Sequence, residues 1–432
     1  SSPSLPSRRE ARTSRLASRQ GTCEIPSPPV PRWFADAPIH LRALGVAALG
    51  AAAVAAVVLT SGRRSPPPVC AAVAEVSAPR ASAVAAPSAV APRRLPEITP
   101  EERRHGHHDC NPPERLGLGP YQPYVKTSEG RLAIPQRGGM TADHGYDVLI
   151  HFHGADPARK VVVQVARGVA YLAIDKGLGS GPYSEAFRTP DVWETLKRSV
   201  NAELRQHTGD PAAHVRHFAL SSWSAGYGAV VQILKQDPDA IDAVVLLDSL
   251  HATYRYGLAP HQRGRLAAVD TRTIAPVIDY ARRAAAGEKI LVVTHSSIDP
   301  VEYPSVSLSA DALLRDVGLE RKPASGRFGS LEQVSAVDVE GLHVWAFSGR
   351  DEATHCAHLA LLARALTDVV EAAWQTPEMD RDVPPTPAPL LGGGPAAERG
   401  GGGKPLLERV YPASRAAAGR DGAADAPSRA SA

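Results

Sequence analysis

Residues 218–230 read FALSSWSAGYGAV, and this stretch constrains the chain more than any other. An apolar run suited to a buried strand ends on Ser-Trp-Ser-Ala-Gly, and a segment of helical character then opens on small residues. Its core, Ser222 to Gly226, is one residue away from G-x-S-x-G, the pattern in which a serine stands on a sharp strand-to-helix turn. The pattern has a physical cause. A serine placed this way sits in a strained backbone conformation, so the positions two residues to either side must be small. Gly226 and Gly228 also let the following helix approach the sheet. The helix start offers free N–H groups and the positive end of a dipole to developing negative charge. Ser222 departs from the first Gly but keeps the position small.

On either side of this stretch, strand and helix signals alternate. Buried strands are expected over residues 146–154, 169–175, 218–223, 243–248, 289–295 and 342–348. Helices are expected over residues 191–207, from the serine turn to about 236, and over 274–284, 310–317 and 353–374. Alternation at this spacing predicts an α/β fold, a mostly parallel sheet with helices on both faces. Ligands of such sheets bind at the carboxyl ends of the strands, where Ser224 would also stand.

The flanks differ in composition. Residues 1–42 are Arg-, Pro- and Ser-rich and lack the apolar content for a core. Residues 43–60 are uncharged and Ala/Val/Leu-rich, about 18 residues against the ~20 that span a bilayer. This segment reads as a single membrane anchor, with an export signal or a soluble Ala-rich helix as the other readings. Residues 61–104 form a Pro/Ala-rich linker, 105–376 the folded domain, and 377–432 a low-complexity tail. A net charge of +3 over 432 residues, with no basic face interleaved with aromatics, excludes a nucleic-acid partner. The four cysteines form no C-x-x-C pair. Two of them, Cys110 and Cys356, fall in the folded region and could pair as a disulfide if the domain is exported.

An activated serine needs a base, the base needs an orienting acid, and the oxyanion needs donors. The sequence offers each at a predicted strand end. His355 follows the last strand at the head of the closing helix, with His358 nearly one turn further on as the alternative base. Asp248 ends the strand after the serine helix, and Asp299, just past the next strand, is the alternative acid; either could instead be a turn or capping aspartate. The His151-Phe152-His153-Gly154-Ala155 segment offers the N–H of Gly154 or Ala155 to pair with that of Ala225. Residues 182–187 and 251–265, with Tyr183, Tyr254 and Tyr256, should line the pocket, and Trp223 should form one wall. His105, His107, His108 and Asp109 form a polar entry segment that could also be read as a metal cluster.

With these residues in place, residues 110–374 resemble the α/β-hydrolase superfamily. The likeness rests on an HG loop after an early strand, Ser-Trp-Ser-Ala-Gly at the turn, and acid and His following in the family's order. It implies an eight-strand, mostly parallel sheet and acyl transfer through a serine ester, without metal or organic cofactor. The superfamily's acid more often follows the strand after Asp248's, which weighs toward Asp299. The expected function is a serine hydrolase acting on a small-molecule or polymer acyl substrate, exported or membrane-tethered. A catalytically inactive binding protein of the cell envelope and a metal-dependent hydrolase are the alternatives.

Overall fold

The computed structural model describes residues 93–300 and 302–387. The basic segment 1–42, the apolar segment 43–60, most of the linker and the tail beyond 387 lie outside the described residues. Among the described residues no helix is long and apolar enough to cross a membrane.

The elements run α1 (Pro100–Arg104), β1 (Val125–Lys126), β2 (Arg131–Ala133), β3 (Gly145–Phe152), α2 (Ala155–Val165), β4 (Ala170–Ile174), α3 (Ser180–Ala186), α4 (Pro190–Thr208), β5 (His214–Trp223), α5 (Tyr227–Gln236) and β6 (Ala243–Leu247). A short ribbon of β7 (Thr253–Tyr254) and β8 (Val269–Asp270) follows, then α6 (Ala275–Ala285), β9 (Ile290–His295) and α7 (Val306–Val317). The chain then forms β10 (Lys322–Phe328), β11 (Leu331–Val339), β12 (Leu342–Phe347) and α8 (Glu352–Ala357). The main sheet has the order β1-β2-β4-β3-β5-β6-β9-β12-β11-β10. From β4 to β12 all neighbours are parallel, and both margins are antiparallel. The sheet therefore has ten strands rather than the expected eight.

The central strands are apolar on both sides because both faces are covered. Val148, Ile150, Phe152, Val244, Leu246, Leu291 and Val293 join a core with α3–α7. Their neighbours Leu149, Val245, Leu247 and Val292 face the opposite way, into a core with α2 and the C-terminal helical run. Period-two alternation thus distributes one apolar run between two cores, each fully buried Val, Leu or Phe contributing about 1.5–3 kcal/mol.

Three further sequence expectations need correction. The closing helix expected over residues 353–374 is not continuous. It comprises α8, a 3₁₀ turn (His358–Ala360), a short α segment (Leu361–Arg364), a π turn (Ala365–Val370) and a last turn (Glu371–Trp374). The π turn lies directly before Glu371, whose buried carboxylate accepts from the N–H groups of Arg167 at 2.8 Å and Gly168 at 3.1 Å. Second, β10 was not foreseen. Its KPASGRF run holds a Pro and a Gly, its side chains are largely exposed, and it forms the sheet margin where Pro is tolerated. Third, the fold exceeds 105–376 on both sides. Upstream, Thr99 caps α1 and Glu102 pairs with Arg115 at 2.8 Å. Downstream, Met379 and Val383 are buried and Thr386 exchanges backbone hydrogen bonds with Gly119 and Leu118.

Candidate active site

Four residues at strand ends adopt left-handed backbone conformations: His153 (φ 68°) and Gly154 (φ 69°) after β3, Ser224 (φ 49°) after β5, and Asp248 (φ 47°) after β6. For the three non-glycine residues such conformations cost of order 1–3 kcal/mol each and concentrate at functional sites. They fall at the carboxyl edge of adjacent parallel strands.

At the β5–α5 turn, Ser224 is fully buried and starts a 3₁₀ turn (Ser224–Gly226) that runs into α5. A Cβ on Gly226 would lie 2.2 Å from the Phe152 carbonyl oxygen, so the turn passes over the end of β3 only because this residue has no side chain. Gly226→Ala is expected to destabilise the domain by about 3 kcal/mol, read as a lower urea midpoint. Gly181→Ala serves as control: a Cβ there meets nothing within 4 Å, and the change should be neutral or slightly stabilising.

Ser222, the departure from the turn pattern, has a structural reason. Its hydroxyl lies 2.8 Å from that of Ser249, and the Ser249 hydroxyl donates to the Ser224 carbonyl at 2.8 Å. The Ser249 proton being committed, Ser222 is the donor to Ser249. A two-hydroxyl relay thereby ties the turn to the loop after β6, which a glycine at 222 could not do.

Asp248 and His355, which follow β6 and β12, come together with the end of β9 between them. His355, on the first turns of α8, lies with Nδ1 2.7 Å from Asp248 Oδ2, and both side chains are buried. Asp248 also accepts from the Ser296 N–H at 2.9 Å and from the Ser296 hydroxyl at 2.9 and 3.1 Å. Burial alone would raise its pKa. The facing His358 and His355, the His355 hydrogen bond and the Ser296 amide outweigh burial and hold it well below the usual carboxylate range. As an ionised carboxylate it is acceptor-only, so His355 carries a proton on Nδ1 and donates it to Asp248.

Trp223, immediately before Ser224, fixes His355 from the other side. Its indole Nε1–H donates to the His355 carbonyl at 3.0 Å, and its ring stacks on the imidazole at 4.8 Å between centroids. The same ring stacks on His153 at 5.3 Å, and a Cβ on Gly154 would touch it at 3.0 Å. Tyr183 is buried behind His153, its hydroxyl 3.0 Å from His153 Nδ1.

The structure brings Ser224, Asp248, His355 and Trp223 together, and it separates the alternatives. His358 bonds Thr294 through Nδ1 at 2.7 Å, and burial pulls its pKa down to about 4. Asp299 lies exposed in the loop after β9. Ser296 occupies the strand end where the resemblance weighed toward an acid, and it holds Asp248 instead. The Ala155 N–H is directed to Asp175 Oδ1 at 3.4 Å, and the Gly154 amide also faces that carboxylate. Tyr254 sits in the β7–β8 ribbon, where its hydroxyl accepts from the Gly264 N–H at 3.1 Å, and Tyr256 is fully exposed. Ser224 Oγ has no hydrogen-bond partner among the described residues, and in free enzymes catalytic hydrogen bonds often tighten only on substrate binding. Ser249, Ser296 and the Trp223 indole were not assigned these tasks from sequence, and Ser249 and Ser296 had only one signal: each directly follows a strand, or a strand-end aspartate. Among the described residues no group of three or more His, Cys, Asp or Glu is placed to hold a metal ion.

A mostly parallel sheet with the β4–β3 crossover, helices on both faces, and this Ser, Asp and His after β5, β6 and β12 define an α/β-hydrolase fold. No family model matches the chain, and no curated protein matches it. Solved structures similar to it are distant. An enterobactin esterase from Shigella flexneri is 12% identical with a TM-score of 0.37, covering 60% of this chain and 61% of its own. A siderophore hydrolase from Aspergillus nidulans is 14% identical with a TM-score of 0.34, covering 59% and 97%. A feruloyl esterase module from Clostridium thermocellum is 11% identical with a TM-score of 0.34, covering 65% and 94%. The chain spans about three fifths of the length of the enterobactin esterases it matches. The fold assignment rests on the chain's own topology.

Proposed function

We propose that the chain is a serine hydrolase that cleaves an ester or related acyl bond. The observation that carries this reading is the joint geometry of a left-handed Ser224 on the β5–α5 turn and a buried Asp248–His355 pair, 2.7 Å apart, anchored to the same turn by Trp223. Ser224 Oγ attacks the carbonyl carbon while its proton passes to His355 Nε2. The imidazolium is stabilised by Asp248 and then protonates the departing alkoxide. A water, deprotonated by the same nitrogen, cleaves the acyl-serine and regenerates the free hydroxyl. The Ala225 N–H, in the 3₁₀ turn that leads into α5, is assigned to the oxyanion. Gly154 and Ala155 join it when they exchange Asp175 for the substrate oxygen.

Because Ser224 is fully buried, substrate reaches it only when the covering segments move. The same proposal includes an exported or membrane-tethered chain, with residues 43–60 as anchor or signal. A disulfide between Cys110 and Cys356, with Cα atoms 4.7 Å apart, favours an oxidising compartment.

A fluorophosphonate probe tests the enzymatic reading. The folded wild-type chain should be labelled, labelling should vanish in Ser224→Ala, and a chelator should leave it unchanged. Folded chain that takes no label would point to the inactive binding protein, and loss of label with chelator to a metal enzyme.

A further inference from the structure

Two polar side chains beside Ser224 take no part in the proton relay. Tyr227 stands three residues after the serine on the first turn of α5, and its buried hydroxyl has no hydrogen-bond partner among the described residues. His251, in the loop after β6, packs edge-on against the Tyr227 ring at 5.9 Å between centroids, and against Tyr303 at 6.0 Å. Its Nδ1 is likewise buried without a partner among the described residues, while the ring lies against the Ser224 backbone. Burial pulls His251 down to about 4, against the opposing pull of Asp248, so the ring is neutral near pH 7. Burial also pushes the Tyr227 hydroxyl well up, so it keeps its proton. A neutral imidazole nitrogen and a phenol together can give and take one hydrogen bond each.

Leaving such groups buried and unpaired costs about 1–3 kcal/mol apiece. Phenylalanine at 227 would avoid that cost with no change of shape. Of the neighbouring polar groups, Ser249 is used on the Ser224 carbonyl and Asp248 on His355 and Ser296, while Ser224 Oγ is the proposed nucleophile. Tyr227 follows Ser224 by three residues and the His251 ring lies against the Ser224 backbone, so both unpaired atoms lie close to where the substrate is proposed to bind.

We propose that Tyr227 and His251 are specificity-determining residues that read a free hydroxyl on the substrate, so that the hydrolase prefers esters carrying a hydroxyl close to the scissile bond. This rests on the hydrolase reading above and narrows its substrate class. A site built around hydrogen-bonding groups discriminates against an analogue lacking the hydroxyl, because binding that analogue leaves the protein groups unpaired.

The test compares matched esters. On the acyl side the pair is p-nitrophenyl 3-hydroxybutyrate and p-nitrophenyl butyrate. On the alcohol side it is glyceryl monobutyrate and propyl butyrate. In the wild type one pair should show a kcat/KM ratio of about 10–100 in favour of the hydroxylated ester, and the pair that does so locates the hydroxyl. In Tyr227→Phe and in His251→Leu that ratio should fall toward 1. Tyr227→Phe should also unfold at a temperature equal to or above the wild type's, because it removes an unpaired hydroxyl without changing shape. A wild-type ratio near 1 for both pairs, or a ratio that survives both substitutions, overturns the proposal while the hydrolase reading stands. Absence of both turnover and fluorophosphonate labelling removes the hydrolase reading and this one with it.

Discussion

Asp248→Asn is expected to lower kcat/KM for p-nitrophenyl butyrate by about 10⁴, and Asp299→Asn to leave it within roughly twofold. Asp248 is the carboxylate that receives His355 Nδ1–H, and three further donor contacts from Ser296 hold it in place. Asparagine keeps the shape but halves the acceptors. Its one oxygen must serve the Ser296 amide, the Ser296 hydroxyl and the imidazole, and its NH₂ meets donors. The imidazole is then driven to the tautomer with Nε2 protonated, which cannot take the serine proton. Some stability should go as well, since a buried donor left unmatched costs about 1–3 kcal/mol. Circular dichroism and a urea titration on the same preparation keep the kinetic loss separate from unfolding. Equal losses in the two variants, or a fully active Asp248→Asn, would exclude Asp248 as the orienting acid.

Breaking the Cys110–Cys356 disulfide should have the larger effect on stability and a second effect on turnover. Its residues are 246 positions apart in the chain, and closing so long a loop removes enough unfolded-state entropy to stabilise by about 3–5 kcal/mol. For a domain of this size that corresponds to roughly 10 °C in melting temperature. Cys356 directly follows His355 on a six-residue helix, so the same bond clamps His355, the proposed base, to the N-terminal part of the domain. Reduction with dithiothreitol and the double variant Cys110→Ala/Cys356→Ala should both lower the melting temperature, and both should lower kcat more than they raise KM. An unchanged melting temperature under reduction would show that the disulfide does not form in solution.

Much of the site was legible because its chemistry falls at strand ends, and strand ends are the easiest boundaries to read in an α/β chain. Asp248 directly follows the apolar run Ala243–Leu247, Ser224 follows a strand that carries two serines, and His355 follows β12 through a polar loop, so their order along the chain is what informs. What escaped were interactions with no local signal. Ser222 looked like an imperfect glycine, and its role depends on a hydroxyl 27 residues away. Ser296 looked like a loop serine, although it holds the acid. The expected oxyanion donors after β3 face Asp175, a residue read only as the end of a strand. The fold had the same limits. The six parallel strands each hold a buried, mainly apolar stretch and were foreseen, whereas β10 and β11 alternate with polar residues at an exposed margin and were not. The interrupted closing helix keeps a helical apolar period throughout, so periodicity alone could not reveal its 3₁₀ and π turns.

The clamp between Cys110 and Cys356 has a bearing on when the chain becomes competent. Ser224 and Asp248 stand on neighbouring strands and can come together as soon as β5 and β6 pair, but the base arrives only with α8, after the last strand of the sheet. Its covalent tether then reaches back to a residue ahead of the first strand. On the proposed assignment, a polypeptide still emerging from the ribosome therefore holds Ser224 and Asp248 without His355. Under that proposal, chemistry begins only once the two ends of the fold have met.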